Sequence, residues 1–118
     1  MKLSIFYVDD EQDLCDIFQE LNQSDQLKIR TYVDPLVAVA DALKEPPDLV
    51  FLDYRLPGMT GDKVAAAMKV DVPIYLISGD LNVKTGFNFT RILGKPVDNS
   101  EIQKIISDLL EFKKCRSQ

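Results

Sequence analysis

Three aspartates, one serine and one lysine in this sequence have the residue types and spacing to handle a phosphoryl group. Asp9 and Asp10 are adjacent; Asp53 lies 43 residues past Asp10, Ser78 a further 25, and Lys95 a further 17. Three carboxylates brought together repel one another and hold their protons more tightly unless a cation neutralises them. Mg²⁺ suits that task, since it takes one or two carboxylates and completes its shell with waters and phosphate oxygens. A carboxylate can also attack phosphorus and form an acyl phosphate. Phosphoryl transfer asks mainly for positioning and charge neutralisation, which a dication and a lysine supply. A serine hydroxyl can meet a remaining phosphate oxygen.

These residues matter only if the fold gathers them, and the pattern of elements says that it does. Leu3–Val8 is a short run of apolar, β-branched and aromatic residues that stops at Asp9-Asp10-Glu11. Leu14, Ile17, Phe18 and Leu21 then recur at helical offsets, predicting an amphipathic helix. Lys28–Val33 reads as a second strand, and Asp34-Pro35 as the N-cap and first position of a helix carrying Leu36, Val37, Val39, Ala40 and Leu43. Pro46-Pro47 ends that helix. Asp48–Asp53 is apolar on both faces, as a central strand of a parallel sheet must be. After the turn Leu56-Pro57-Gly58, Val64–Lys69 predicts a short, alanine-rich helix; Pro73–Ser78 and Arg91–Gly94 predict two further strands. Ile102, Ile105, Ile106, Leu109 and Leu110 form a last helix behind a capping-box pattern, Asp98-x-x-Glu101.

Five strands alternating with helices imply right-handed crossovers and a doubly wound, five-stranded parallel α/β sheet. In such sheets ligands sit beyond the carboxyl ends of the strands. Asp9 and Asp10 end the first strand, Asp53 the third, Ser78-Gly79 the fourth and Lys95-Pro96 the fifth, so all converge on one edge. Between Gly79 and Thr90 two glycines, two asparagines and several β-branched residues weaken any helix, so the fourth helix is expected to be short or irregular.

Composition narrows the functional classes. With 118 residues the chain fits one domain, expected to span 1–118. A formal charge of −5 argues against a nucleic-acid partner, because phosphate backbones demand a basic face. The sequence has no histidine, which excludes a phosphohistidine carrier. Two cysteines, Cys15 and Cys115, make no disulfide framework and suit a reducing compartment. Met1–Tyr7 is too short for a signal peptide and no apolar run reaches membrane-span length, so a cytoplasmic protein without a membrane partner is expected.

Asp9-Asp10, Leu52-Asp53, Leu56-Pro57-Gly58-Met59-Thr60-Gly61, Ser78-Gly79 and Lys95-Pro96, in this order, resemble the motifs of the response-regulator receiver domains of two-component signalling. The resemblance covers essentially the whole chain. It implies a flavodoxin-like strand order 2-1-3-4-5 and a switch phosphorylated by a histidine kinase or histidine phosphotransfer protein. Asp53 would be the phosphoacceptor and Asp10 a direct ligand of Mg²⁺. Asp9 would act mostly through water, and the Arg55 backbone carbonyl would add a further metal ligand. Ser78 would turn its hydroxyl toward the phosphoryl group and Lys95 would contact it. A cis bond before Pro96 would also follow, as would readout by contact with a downstream protein. Such a domain catalyses only its own phosphorylation and dephosphorylation.

Two departures stand out. Receivers carry an aromatic residue three positions before the lysine, where this sequence has Ile92, and the segment from Ser78 to Lys95 is shorter than is usual. Phe87 and Phe89 are the nearby aromatics. Arg55 and Asp80, each two positions beyond a key residue, carry opposite charges and are expected to pair across the mouth of the site. Three other readings compete with this one. A haloacid-dehalogenase-type phosphatase needs an acid two residues after its nucleophile, where Arg55 stands. A flavin-binding fold needs a phosphate loop where Asp9-Asp10-Glu11 stands. A degenerate receiver that binds a partner without phosphorylation is the alternative that fits the eroded fourth helix.

Overall fold

The elements follow from local chemistry that the computed structural model makes explicit for residues 2–116. The strands are β1 (Leu3–Val8), β2 (Leu27–Tyr32), β3 (Leu49–Asp53), β4 (Arg55–Leu56), β5 (Met59–Thr60), β6 (Ile74–Ser78) and β7 (Arg91–Gly94). The helices are α1 (Gln12–Asn22), α2 (Pro35–Lys44), α3 (Gly61–Met68) and α4 (Asn99–Arg116). Asp34 caps α2 as its sequence predicts: the carboxylate accepts the Leu36 N–H at 2.9 Å and Pro35 opens the helix. The capping box before α4 is half formed. Asp98 accepts from the Ser100 N–H at 3.0 Å, but Glu101 pairs with Arg91 instead of reaching back. Helix α3 begins at Gly61, three residues before the predicted start at Val64, and ends on Lys69 in the left-handed conformation, φ 53°.

Strands β2-β1-β3-β6-β7 form one parallel sheet, and β4 pairs with β5 in a small antiparallel hairpin. Counting only strands of the large sheet, the order is the expected 2-1-3-4-5. The period of two along each strand splits the core into two layers. Ile5, Tyr7 and Phe51 face α1 and α4 and meet Cys15, Phe18, Ile102, Ile105 and Ile106. Tyr7 stacks on Phe18 at 4.3 Å between ring centroids, and Phe18 leans on Phe51 at 5.5 Å. On the other face Phe6, Val8, Val50 and Leu52 meet Ala38 and Ala42 of α2 and Val64, Ala65 and Met68 of α3. Asn22 is buried at the end of α1 and joins it to α4, its Nδ2 donating to Asn99 Oδ1 at 3.0 Å.

One expectation is corrected here. The predicted apolar stripe of α1 does not all face the sheet: Cys15, Phe18 and Asn22 are buried, whereas Ile17 and Leu21 lie about half exposed. The sheet takes the stripe that places Phe18 against Tyr7 and Phe51 and leaves the neighbouring apolar stripe toward solvent. The segment expected to hold a short or irregular fourth helix is irregular, with no helix between β6 and β7. Residues 79–90 form turns and bends only, and Phe87 and Phe89, 4.8 Å apart, pack against the second core layer. Among the described residues no helix is long and apolar enough to cross a membrane.

Candidate functional site

The site grows out of the sheet's alternation. Tyr7 and Phe51 point into the α1 side of the core, so Asp9 and Asp53, each two residues on, are directed the same way at the carboxyl edge. Carboxylate oxygens of Asp9, Asp10 and Asp53 all lie within 4.8 Å of one another. Asp9 and Asp53 are buried and Asp10 is exposed. Lys95, one residue beyond β7, places Nζ 2.9 Å from Asp53 Oδ1. The peptide bond between Lys95 and Pro96 is cis. Three acids and one lysine, scattered over the sequence, thus form a single cluster.

Burial drives the Asp53 carboxyl above the ordinary carboxylate range. Asp10 adds to that push, and the Lys95 ammonium opposes it without cancelling it. Asp9 is raised for the same first reason, burial, with Asp53 adding repulsion. Burial works against the charge of Lys95, but Asp53, with Asp9 and Glu11 behind it, holds its pKa above the ordinary lysine value. The cluster carries more negative than positive charge in a half-desolvated place.

Asp9 has two partners that sequence reasoning missed. Its Oδ1 accepts the Glu11 N–H at 3.0 Å and its Oδ2 accepts the buried Tyr7 hydroxyl at 3.2 Å. The signal was available: Tyr7 stands two residues before Asp9 on one strand, so the pleat sets both on one face. With both oxygens engaged, Asp9 suits an outer role at a cation, whereas Asp10 keeps an unengaged carboxylate. This donor set of hard oxygens fits Mg²⁺.

Ser78 is buried at the end of β6, in register with Gly94. Its Oγ is committed to the next turn, donating to the Asp80 carbonyl and accepting the Asp80 N–H, each at 3.0 Å. Strand alternation directs it to the face opposite Ile77, away from Asp53, whose register partner is Ile77. The expected pair of Arg55 and Asp80 does not form. Asp80 Oδ1 instead accepts the Asn82 N–H at 2.8 Å, a local turn that holds the carboxylate over its own segment, and Arg55 is exposed in β4. Gly61 was read only as part of a motif, yet it holds the loop shut: its N–H donates to the Tyr54 carbonyl at 2.7 Å.

The sequence profile of the response regulator receiver domain family matches residues 5–107. The cyclic di-GMP phosphodiesterase response regulator RpfG of Xanthomonas campestris pv. campestris is 29% identical over 123 aligned positions, covering 94% of this chain and 32% of that protein. Response regulator PleD of Caulobacter vibrioides is 27% identical, over 96% of this chain and 27% of its own length. The chain therefore spans about a third or less of these two relatives. Sporulation initiation phosphotransferase F of Bacillus subtilis is 29% identical, with 96% of this chain and 98% of that protein covered. Among solved structures, the signal receiver domain of an HD domain-containing protein from Pseudomonas fluorescens Pf-5 superposes with a TM-score of 0.83 at 22% identity, covering 98% and 99% of the two chains. A CheY-like receiver domain from Methylobacillus flagellatus gives 0.78 at 20% identity, covering 92% and 98%. With its profile matched over most of its length, its sheet order that of the solved receivers, and an acid cluster at the sheet edge, this chain belongs to the response regulator receiver domain family.

Proposed function

We propose that this chain is a phosphorylation switch in which Asp53 receives a phosphoryl group from a histidine kinase or a histidine phosphotransfer protein. The observation that carries the reading is the 2.9 Å contact between Lys95 Nζ and Asp53 Oδ1 beside the two further acids. One Asp53 oxygen is held by the lysine, which leaves the other to attack. The phosphorus–nitrogen bond of the donor imidazole breaks as the phosphorus–oxygen bond to Asp53 forms, giving an acyl phosphate and a free histidine. Lys95 then faces the new phosphoryl oxygens. Asp10, Asp53 and the Arg55 carbonyl would hold Mg²⁺, with Asp9 behind a water. When bound, the ion supplies the positive charge that three carboxylates and a phosphoryl group require.

The donor surface is supported by a groove of about 450 Å³ that runs from the site along α1. Asp9 and Lys95 line one end, and Leu14, Ile17, Leu21 and Val97 line the rest. Glu11 lines it beside Asp9, and Asp13, Asp16 and Glu20 add exposed negative charge elsewhere on α1. A donor with an apolar patch fringed by basic residues would dock there and bring its histidine to Asp53. Readout passes to a downstream protein by contact, and the chemistry of the chain is confined to its own phosphorylation and dephosphorylation.

The test is intact-protein mass after incubation with acetyl phosphate. One added phosphoryl group is expected with Mg²⁺, none with EDTA, and none in Asp53→Asn. The missing helix over residues 79–90 favours a second reading, a module that binds its partner without phosphorylation; failure of the wild-type protein to gain mass with Mg²⁺ would select it.

A further inference from the structure

Helix α2 buries its small residues and shows its large ones to water. Pro35, Ala38 and Ala42 face the sheet, whereas Leu36 is 65%, Val37 47% and Leu43 57% exposed. Val33, just before the helix, is 41% exposed. A helix on a sheet normally does the reverse. At about 100° per residue, Leu43, Leu36, Ala40, Lys44 and Val37 lie in that order around an exposed arc, with Ala40 in the middle. No acidic residue interrupts it.

We propose that this face is where two copies of the chain pair, α2 against α2, antiparallel about a two-fold axis through Ala40. The sequence of the stripe is self-complementary about that residue. Val37 of one copy lies opposite Leu43 of the other, and Leu36 lies opposite the aliphatic stem of Lys44. The ends carry opposite charges: Asp34 caps the start of α2 and Lys44 lies in its last turn. An antiparallel pair brings Asp34 to Lys44 twice and opposes the helix dipoles favourably, whereas a parallel pair would set like ends together. The methyl group of Ala40 at the crossing lets the axes approach to about 8 Å. Beyond Leu36 the stripe opens into a groove of about 390 Å³ between Val33–Leu36 and Pro57–Met59. That is the end where Leu43 of the second copy arrives. With four large apolar side chains 41–65% exposed, the stripe is on the order of a few hundred Å² per copy, the size of the largest apolar patch on a typical monomer, which is often functional. Doubled, it falls short of the roughly 1,200 Å² of stable complexes, so pairing is weak and set by concentration. Since α1 and α2 pack on opposite faces of the sheet, the groove beside Asp53 stays open in the pair.

Sedimentation equilibrium of the full chain from about 10 µM to about 1 mM tests this, with a reversible monomer–dimer equilibrium expected near 100 µM. Ala40→Arg places two guanidinium groups on the axis and should weaken pairing at least tenfold; Lys44→Glu should weaken it less. Both side chains are exposed, and a urea melt confirms that the variants fold. In a Cys115→Ser background, Ala40→Cys should form a disulfide between identical positions under mild oxidant, whereas Lys63→Cys on α3 should not. A chain that stays monomeric throughout the range, or a dimer unchanged by Ala40→Arg, overturns the proposal. So does Ala40→Cys that fails to cross-link at concentrations where the dimer is populated.

Discussion

A β-carbon placed on Gly61 would lie 2.7 Å from the main-chain oxygen of Asp53. It would also lie 2.8 Å from Leu76 Cδ1 and 3.1 Å from Tyr54 Cα, so the obstruction is mostly backbone that cannot swing aside. Gly61 therefore lets the first turn of α3 press against the residue that bears the nucleophile, and its N–H closes the loop onto Tyr54. The requirement is close approach, not an unusual dihedral.

We predict that Gly61→Ala costs about 1–3 kcal/mol, the usual range for overpacking, and displaces Asp53 from Lys95. Urea melts give the stability, and the rate of phosphorylation by acetyl phosphate reports the displacement. A variant with wild-type stability and rate would show that the loop relaxes without disturbing Asp53.

Acidification should stabilise the metal-free protein before it unfolds it. Burial raises the carboxyls of Asp9 and Asp53, so the folded chain binds protons at a higher pH than the unfolded chain does. Stability then grows as pH falls through their folded pKa values, and the gain is complete near the ordinary value of 3.8. Asp62 and Asp98 act oppositely. Hydrogen bonds from Thr60 and from Ser100 respectively lower their carboxyls, and their contribution is lost as pH falls through those lowered values. Urea midpoints in EDTA should therefore rise as pH falls from neutrality toward the ordinary carboxylate value, and fall again at lower pH. Asp9→Asn should raise metal-free stability at pH 7 by about 1 kcal/mol and flatten the rise. A midpoint that falls steadily from pH 7 would mean that the acid cluster is not strained.

The path from sequence to site was short where local chemistry decides. Asp34-Pro35 announced the start of α2, and the doubly apolar Asp48–Asp53 run announced a central strand ending on an acid. Both are rules of neighbouring residues. Contacts that depend on the assembled fold were hidden: nothing in the sequence says that Gly61 abuts Asp53. Apolar periodicity also cannot choose between two apolar stripes on one helix, which is why α1 buries Cys15 and Phe18 while Ile17 and Leu21 face water. The Arg55–Asp80 pair failed for a related reason. Opposite charges at matching offsets from key residues do not meet when a nearer backbone N–H claims one of them.

Phosphorylation should reorganise residues 79–90. Ser78 Oγ is bound on both sides to Asp80, so it can reach a phosphoryl group on Asp53 only by releasing that turn. Ile92 offers no ring to follow the serine inward, while Phe87 and Phe89 already hold the segment to the core. Amide hydrogen exchange should show little protection in 81–90 at rest and more when beryllofluoride, standing in for the phosphoryl group, is added with Mg²⁺. High protection in both states would place the readout elsewhere on the surface.

The central claim is that Asp53, and no other acid of the cluster, becomes an acyl phosphate. Borohydride cleaves an acyl phosphate and leaves homoserine where the aspartate stood, so reduction of the phosphorylated protein marks the acceptor in its own peptide. Fragment masses should place homoserine at position 53 alone, only in protein treated with phosphodonor and Mg²⁺. Homoserine at position 9 or 10, or none at any position, would contradict the account.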